Sequence, residues 1–385
     1  MAQPAPVRVD VKPELLRWAW ERARLDPADL ARRFPRLSDW ESETAKPTFK
    51  QLEDFARATH TPFGYFFLAE PPVETVPIPD LRTIADRHVE RPSPDMLDTI
   101  YLCQQRQEWY RDYARENNSA PLPFVGTATV EDNVSETAAI IRNALGFTVE
   151  QRRDTHTWTE ALRRLIEQTD SLGVLVMVSG VVGNNTHRVL DTSEFRGFAL
   201  SDPLAPLIFI NGSDSKAAQM FTLAHELAHI WLGKTALSNS QAVSAPHPII
   251  ERWSNRVAAE LLVPLSAFRA VYRTGEDLRA SLDRIARHFK VSTLVILRRM
   301  YDAGFITRRN LAEAYDDELE HLRDVQSGSG GNFYATERSR VGRRFAFALV
   351  SSTLEGQTLY RDAFRLLSIS KADTFHELAR NLGIS

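Results

Sequence analysis

The run Phe221-Thr222-Leu223-Ala224-His225-Glu226-Leu227-Ala228-His229-Ile230-Trp231-Leu232-Gly233 places two imidazoles and a carboxylate inside an almost unbroken apolar segment. Residues four apart on a helix lie on one face, one turn above the other, so His225 and His229 can close on a single metal ion with Glu226 beside them. This is the H-E-x-x-H pattern, in which two imidazoles bind zinc and the glutamate acts as base towards water. Ala218, Phe221, Leu223, Ala224, Leu227, Ala228, Ile230, Trp231 and Leu232 make the helix apolar nearly all round, which predicts burial. Burying two histidines and a glutamate is costly unless something satisfies them. The competing reading is a core helix whose histidines are hydrogen-bonded within the protein.

A catalytic zinc takes three protein ligands plus water, so a third ligand is required. Residues 251–264, Glu-Arg-Trp-Ser-Asn-Arg-Val-Ala-Ala-Glu-Leu-Leu-Val-Pro, form a second helical run that Pro264 ends. Glu251 and Asn255 are four apart and share a face, so Glu251 is the candidate ligand and Asn255 the group that orients a histidine by its other ring nitrogen. Glu260 is the competing carboxylate.

Taken together, His225-Glu226-Leu227-Ala228-His229 and the 251–264 motif resemble the ImmA/IrrE family of zinc metallopeptidases. The resemblance implies Zn2+ held by His225, His229 and Glu251, with Glu226 catalytic. Ser254 stands where that family usually has alanine. The specific likeness covers roughly residues 172–307.

Composition narrows the class. Hydrophobic residues at 43% and charged residues at 25% describe an ordinary globular chain. A net charge of -3 gives no global attraction to nucleic acid. One cysteine, Cys103, forbids an intrachain disulfide and a thiolate zinc cluster, leaving histidine and carboxylate as ligands. Cys103 lies in an apolar helical run and reads as a small buried residue. The start of the chain carries no signal-peptide pattern and no run reaches the length of a membrane span, so a soluble cytoplasmic protein is expected.

Residues 13–68 read as five short helices, with Asp26, Ser38 and Thr48 as N-caps. Their order, and the stretch 37–48 with its Trp40-Glu41 pair and Lys46-Pro47, resemble the Xre-type helix-turn-helix domain. A DNA-reading helix should offer cationic or amide side chains, but this one offers Asp39, Glu41 and Glu43. Over residues 1–70 there are 11 Lys+Arg against 11 Asp+Glu, which removes the phosphate attraction that drives non-specific binding. Arg32, Arg33 and Arg36 are the local basic cluster and the candidate contact with DNA or with protein.

The proline-dense stretch 70–79 reads as an extended linker. Asp80-Leu81-Arg82 follows, similar to a segment that the family carries after its helix-turn-helix. Helices are expected at 93–117, 135–145 and 158–169, then short strands at 174–178, 195–200 and 206–210. Zincin-like peptidases take substrate as an added strand, and Arg196, Gly197, Phe198 and Ala199 form the candidate edge, with an interior strand as the alternative. Ser213 or Asp214 is expected to cap the metal helix and Gly233 to follow its end. Residues 237–248 read as a polar loop containing His247. Residues 285–299 look like a second helix-turn-helix, which in the ImmA/IrrE domain closes the protease. The glycine-rich stretch 327–331 reads as a flexible linker ahead of a C-terminal helical segment with a basic start at Arg338, Arg340, Arg343 and Arg344.

These readings give an α+β chain, mostly helical. It has a helix-turn-helix bundle at 1–70, a linker and helical region at 71–171, a zincin-like metallopeptidase core with a small sheet at 172–325, and a linker and helical C-terminal segment at 326–385. The resemblance implies cleavage of a transcriptional repressor or antitoxin in a stress or mobile-element response. The alternative is a regulator or toxin–antitoxin component that uses the zinc fold for sensing or docking with little proteolysis.

Overall fold

Several helices begin at a side chain that accepts from their first backbone N–H groups, among them those capped by Asp26, Thr48, Asn133, Thr157 and Ser215, in a computed structural model of the chain. It describes residues 7–81, 91–153, 155–238, 249–325 and 340–384. The chain forms two compact units, one from Met1–Pro77 and Asp86–Asp98, the other from Ile78–Ala85 and Thr99–Ser385.

The first unit is a small helical bundle of α1 (Pro13–Arg22), α2 (Pro27–Arg33), α3 (Leu37–Glu41), α4 (Phe49–Ala58) and a 3-10 turn at Phe63–Phe67. Asp26 caps α2 by accepting from Ala28 N at 2.7 Å, and Thr48 and Gln51 form a reciprocal capping box on α4. Ser38, expected as a cap, lies inside α3, which starts after Arg36 without a side-chain cap. Leu15, Leu16, Trp40, Leu52, Phe55 and Phe66 fill the core. Arg32 pairs with Asp29, Arg36 lies 3.2 Å from Asp39, and the Arg33 guanidinium sits 5.5 Å from the Phe34 ring centre.

The second unit is α+β and mostly helical. It contains most of α5 (Pro94–Glu116), then α6 (Val134–Leu145), α7 (Val149–Arg153), α8 (Trp158–Ser171), β1 (Leu175–Ser179), β2 (Val181–Val182), β3 (Asn185–Val189), β4 (Gly197–Leu200) and β5 (Leu207–Asn211). There follow α9 (Lys216–Trp231), β6 (Ala236–Ser238), α10 (Ile249–Leu262), α11 (Leu265–Val271), α12 (Leu278–Phe289), α13 (Thr293–Asp302) and α14 (Arg308–Val325). The last helices described are α15 (Arg343–Leu354), α16 (Tyr360–Leu367) and α17 (Ala372–Leu382). Residues 99–171 and 340–384 therefore pack in one unit with the sheet rather than standing apart. No described helix is long and apolar enough to cross a membrane.

The main sheet runs β1-β5-β4-β6, with β1 parallel to β5 and the other pairs antiparallel. Every residue of these four strands is buried, so they appear in sequence as continuous apolar runs without alternation. β4 is paired on both sides, Phe198 opposite Phe209 on β5 and opposite Leu237 on β6. Arg196, Gly197, Phe198 and Ala199 are therefore not an exposed edge. The strand that covers them, β6, has three residues, too few to show a period, and it occupies the start of the stretch that reads as a polar loop. His247, Arg338 and the 327–331 linker lie outside the described residues.

Helix α9 packs on β4, β5, α8 and α10. Cys103 on α5 is buried, which pushes its thiol up to about 12 and leaves it inert at neutral pH. Trp109 stacks on Tyr113 and meets Phe345 edge-on, tying α5 to α15. Two arginines of the basic start are engaged internally, Arg340 donating to Asn184 Oδ1 at 3.0 Å and Arg344 to Asp170 O at 2.9 Å, while Arg343 is exposed. Gly342, at φ 76° and ψ 139°, lies so close to β1 that a Cβ would stand 2.6 Å from Val176 O. Gly342→Ala should therefore cost about 1–3 kcal/mol or more. Its urea midpoint should fall well below that of Gly356→Ala, where φ is +77° but nothing lies within 4 Å of the new Cβ; equal midpoints would show that the close approach does not matter.

Candidate metal centre

Ser215 opens α9, its hydroxyl accepting from Ala218 N at 3.2 Å. The cap is thus neither Ser213 nor Asp214; Asp214 instead faces Arg196 at 3.0 Å. At the other end Gly233, with φ 65°, lets the chain reverse, and Lys234 N donates to His229 O at 3.0 Å. Every residue of α9 from Gln219 to Trp231 is buried. A helix held at both ends and covered all round delivers His225 and His229 to the interior as a pair, with ring centres 4.8 Å apart.

Helix α10 crosses α9 and brings Glu251 to that pair. His225 Nε2 and His229 Nε2 are 3.0 Å apart; Glu251 Oε2 is 3.2 Å from the first and Glu251 Oε1 3.0 Å from the second. One helical turn further, Asn255 Oδ1 lies 3.0 Å from His225 Nδ1. An amide oxygen only accepts, so Nδ1 is the donor and the neutral ring turns its Nε2 lone pair towards Glu251 and His229. Glu260 lies elsewhere, pairing with Arg299 and accepting from Leu265 N at 3.2 Å.

Three electron-pair donors facing one another in a dry interior repel unless a cation lies among them. Burial pushes His225 down, but the Glu251 carboxylate draws it above its ordinary range; burial leaves His229 below its own. Burial would raise Glu251, yet the nearness of His225, and then of His229, holds it well below the usual carboxylate range. Tetrahedral bonds of ~2.0–2.1 Å put ligand atoms about 3.3 Å apart, close to the separations here, and two imidazoles with a carboxylate are a donor set that divalent metals take. Among the described residues, His225, His229 and Glu251 are the one group of this kind.

Glu226 adjoins this cluster. Burial pushes its carboxyl up to about 8, against the opposing pull of His225 and a hydrogen bond donated by Ser238 Oγ to Oε1. Its Oε2 has no hydrogen-bond partner among the described residues. Gly197 makes the necessary space: a Cβ there would stand 2.5 Å from Thr222 Cγ2, 2.8 Å from Phe209 O and 3.3 Å from Glu226 Oε1. Ser238 escaped the sequence reading because nothing in a run of small polar residues marks one that reaches back to a helix. Gly197 was read only as part of an edge.

The fold and this cluster agree with a metallopeptidase-type domain. Residues 169–301 match the family model described as the IrrE N-terminal-like domain, Peptidase_M78, which supports the ImmA/IrrE family for that region. Residues 341–381 match a domain of unknown function, DUF8813. No curated protein matches the chain.

Protein purified without chelator should carry about one equivalent of divalent metal per chain. His225→Ala and Glu251→Ala should lose it, and Asn255→Ala should weaken retention about 10–100-fold in a chelator competition read by elemental analysis. Equal metal in wild type and His225→Ala would remove this assignment.

Proposed function

We propose that this chain is a zinc-dependent endopeptidase. The observation that carries the reading is the convergence of His225, His229 and Glu251 with a carboxylate, Glu226, beside them. Zinc at this point would supply Lewis-acid polarisation and a lowered pKa for water. The protein's own part is clear in outline. His225, His229 and Glu251 are the three ligands, and Asn255 holds His225 in one tautomer. Glu226, in its ionised form, keeps one oxygen on Ser238 and offers the other, Oε2, to take a proton from the attacking water and pass it to the leaving nitrogen.

The substrate we propose is a transcriptional repressor or antitoxin, as resemblance to the ImmA/IrrE family implies, in a cytoplasmic stress or mobile-element response. We read the first unit as an Xre-like domain that recognises protein in preference to DNA. Its balanced charge supports that choice, as do Arg32, Arg33 and Arg36, each already set against a neighbour. A second reading, a regulator that binds metal as a sensor and cuts little, draws support from the complete burial of His225, Glu226 and His229.

Glu226→Gln separates the two. In the peptidase reading it retains metal and loses cleavage of repressors encoded beside this gene by about 10²–10⁴-fold. A wild type that holds zinc and cuts none of them, under conditions where it binds them, would favour the sensor.

A further inference from the structure

An extended peptide that joins a sheet needs a strand with unpaired backbone groups along its outer side. The main sheet has two outer strands, β1 and β6. At β1, Gly342 stands against Val176. At β6, Leu237 pairs with Phe198 of β4 and turns both its backbone groups outward. Its N–H donates to Pro79 O at 2.9 Å and its carbonyl accepts from Leu81 N at 3.1 Å, so that Asp80 bridges Leu237 in parallel. The adjacent residue of β6, Ser238, holds Glu226. The strand whose outer side is taken is therefore the strand that touches the proposed catalytic carboxylate.

The occupying stretch is built for this position. Pro77 and Pro79 fix φ near the extended value and exclude a helix there. Ile78 between them is 6% exposed, an apolar anchor in a stretch whose other apolar residues, Val73 and Val76, are exposed or half-buried. Residues 78–81 group with the compact unit that contains β6.

We infer that residues 79–81 are a built-in competitor for extended peptide, occupying through the backbone of Leu237 the edge of β6 on which a substrate would add. The inference rests on the peptidase reading for what the displaced occupant is. The competition itself needs only strand pairing. Leu81→Pro removes one of the two donors while leaving the side chains of β6 intact, and a free peptide with the sequence of residues 76–81, Val-Pro-Ile-Pro-Asp-Leu, retains that donor.

The test uses the full chain in two measurements. In wild type, the backbone amides of Leu81 and Leu237 should exchange slowly with solvent deuterium, as paired edge groups do. Fluorescein-labelled peptide 76–81, followed by anisotropy, should bind Leu81→Pro about five- to tenfold more tightly than wild type, the factor expected when one backbone hydrogen bond no longer holds the internal segment in place. Exchange at Leu81 and Leu237 as fast as in an unstructured peptide would overturn the inference without recourse to any variant. Equal peptide binding by a folded Leu81→Pro and wild type would overturn it as well. Neither measurement involves hydrolysis, so a chain that passes both and cuts nothing would count against the peptidase reading alone.

Discussion

Two imidazoles and a carboxylate meet in the dry interior within about hydrogen-bond distance of one another, and the rest of the second unit serves to hold them there. Such a cluster is costly to desolvate, and the same low dielectric that makes it costly makes a shared cation strongly favourable. His225 and His229 come from one helix, Glu251 and Asn255 from the next, so the crossing of α9 and α10 sets the site. The register of each helix is in turn fixed by local chemistry: the Ser215 cap and Gly233 turn on α9, and the helix stop before Pro264 on α10.

The sheet contributes on the other side of Glu226. Gly197 lets β4 approach α9 closely, and β6 brings Ser238 within reach of the carboxylate. With Oε1 held by Ser238 and Oε2 without a partner among the described residues, the two oxygens of Glu226 stand in different environments. The same short strand supplies the outward backbone groups that residues 79–81 use. The contact to Glu226 and the pairing with residues 79–81 thus both come from one strand of three residues, Ala236–Ser238.

The helical parts of the chain were largely legible because their signals are local. Asp26 and Thr48 cap the helices that follow them, and the spacing of His225 and His229 needs only helical geometry. The misreadings share a cause. Ser213, Asp214 and Ser215 are adjacent candidate caps, and choosing among them depends on where the turn after β5 places each side chain; Arg196 draws Asp214 away. Ser38 falls inside its helix, which starts after Arg36 with no side-chain cap. The strand at 197–200 was legible as a strand but its place in the sheet was not, because pairing partners are set by distant residues. The hairpin β2–β3 passed unread because its first strand has two residues and its second is mostly exposed and polar, with no apolar run.

By itself the sequence determined which donor atoms the chain possesses, that two of them share a helix face, and that a single cysteine leaves imidazole and carboxylate as the ligand chemistry. It also narrowed the third donor to Glu251 or Glu260, residues nine positions apart on one helix. Only the tertiary structure decided between them, by setting Glu251 against the histidines and Glu260 against Arg299. It alone placed Ser238 on Glu226 and residues 79–81 along β6. The physical reason is range: a helix face is fixed by residues a turn apart, whereas a strand neighbour or a hydroxyl arriving from another element depends on how whole elements pack.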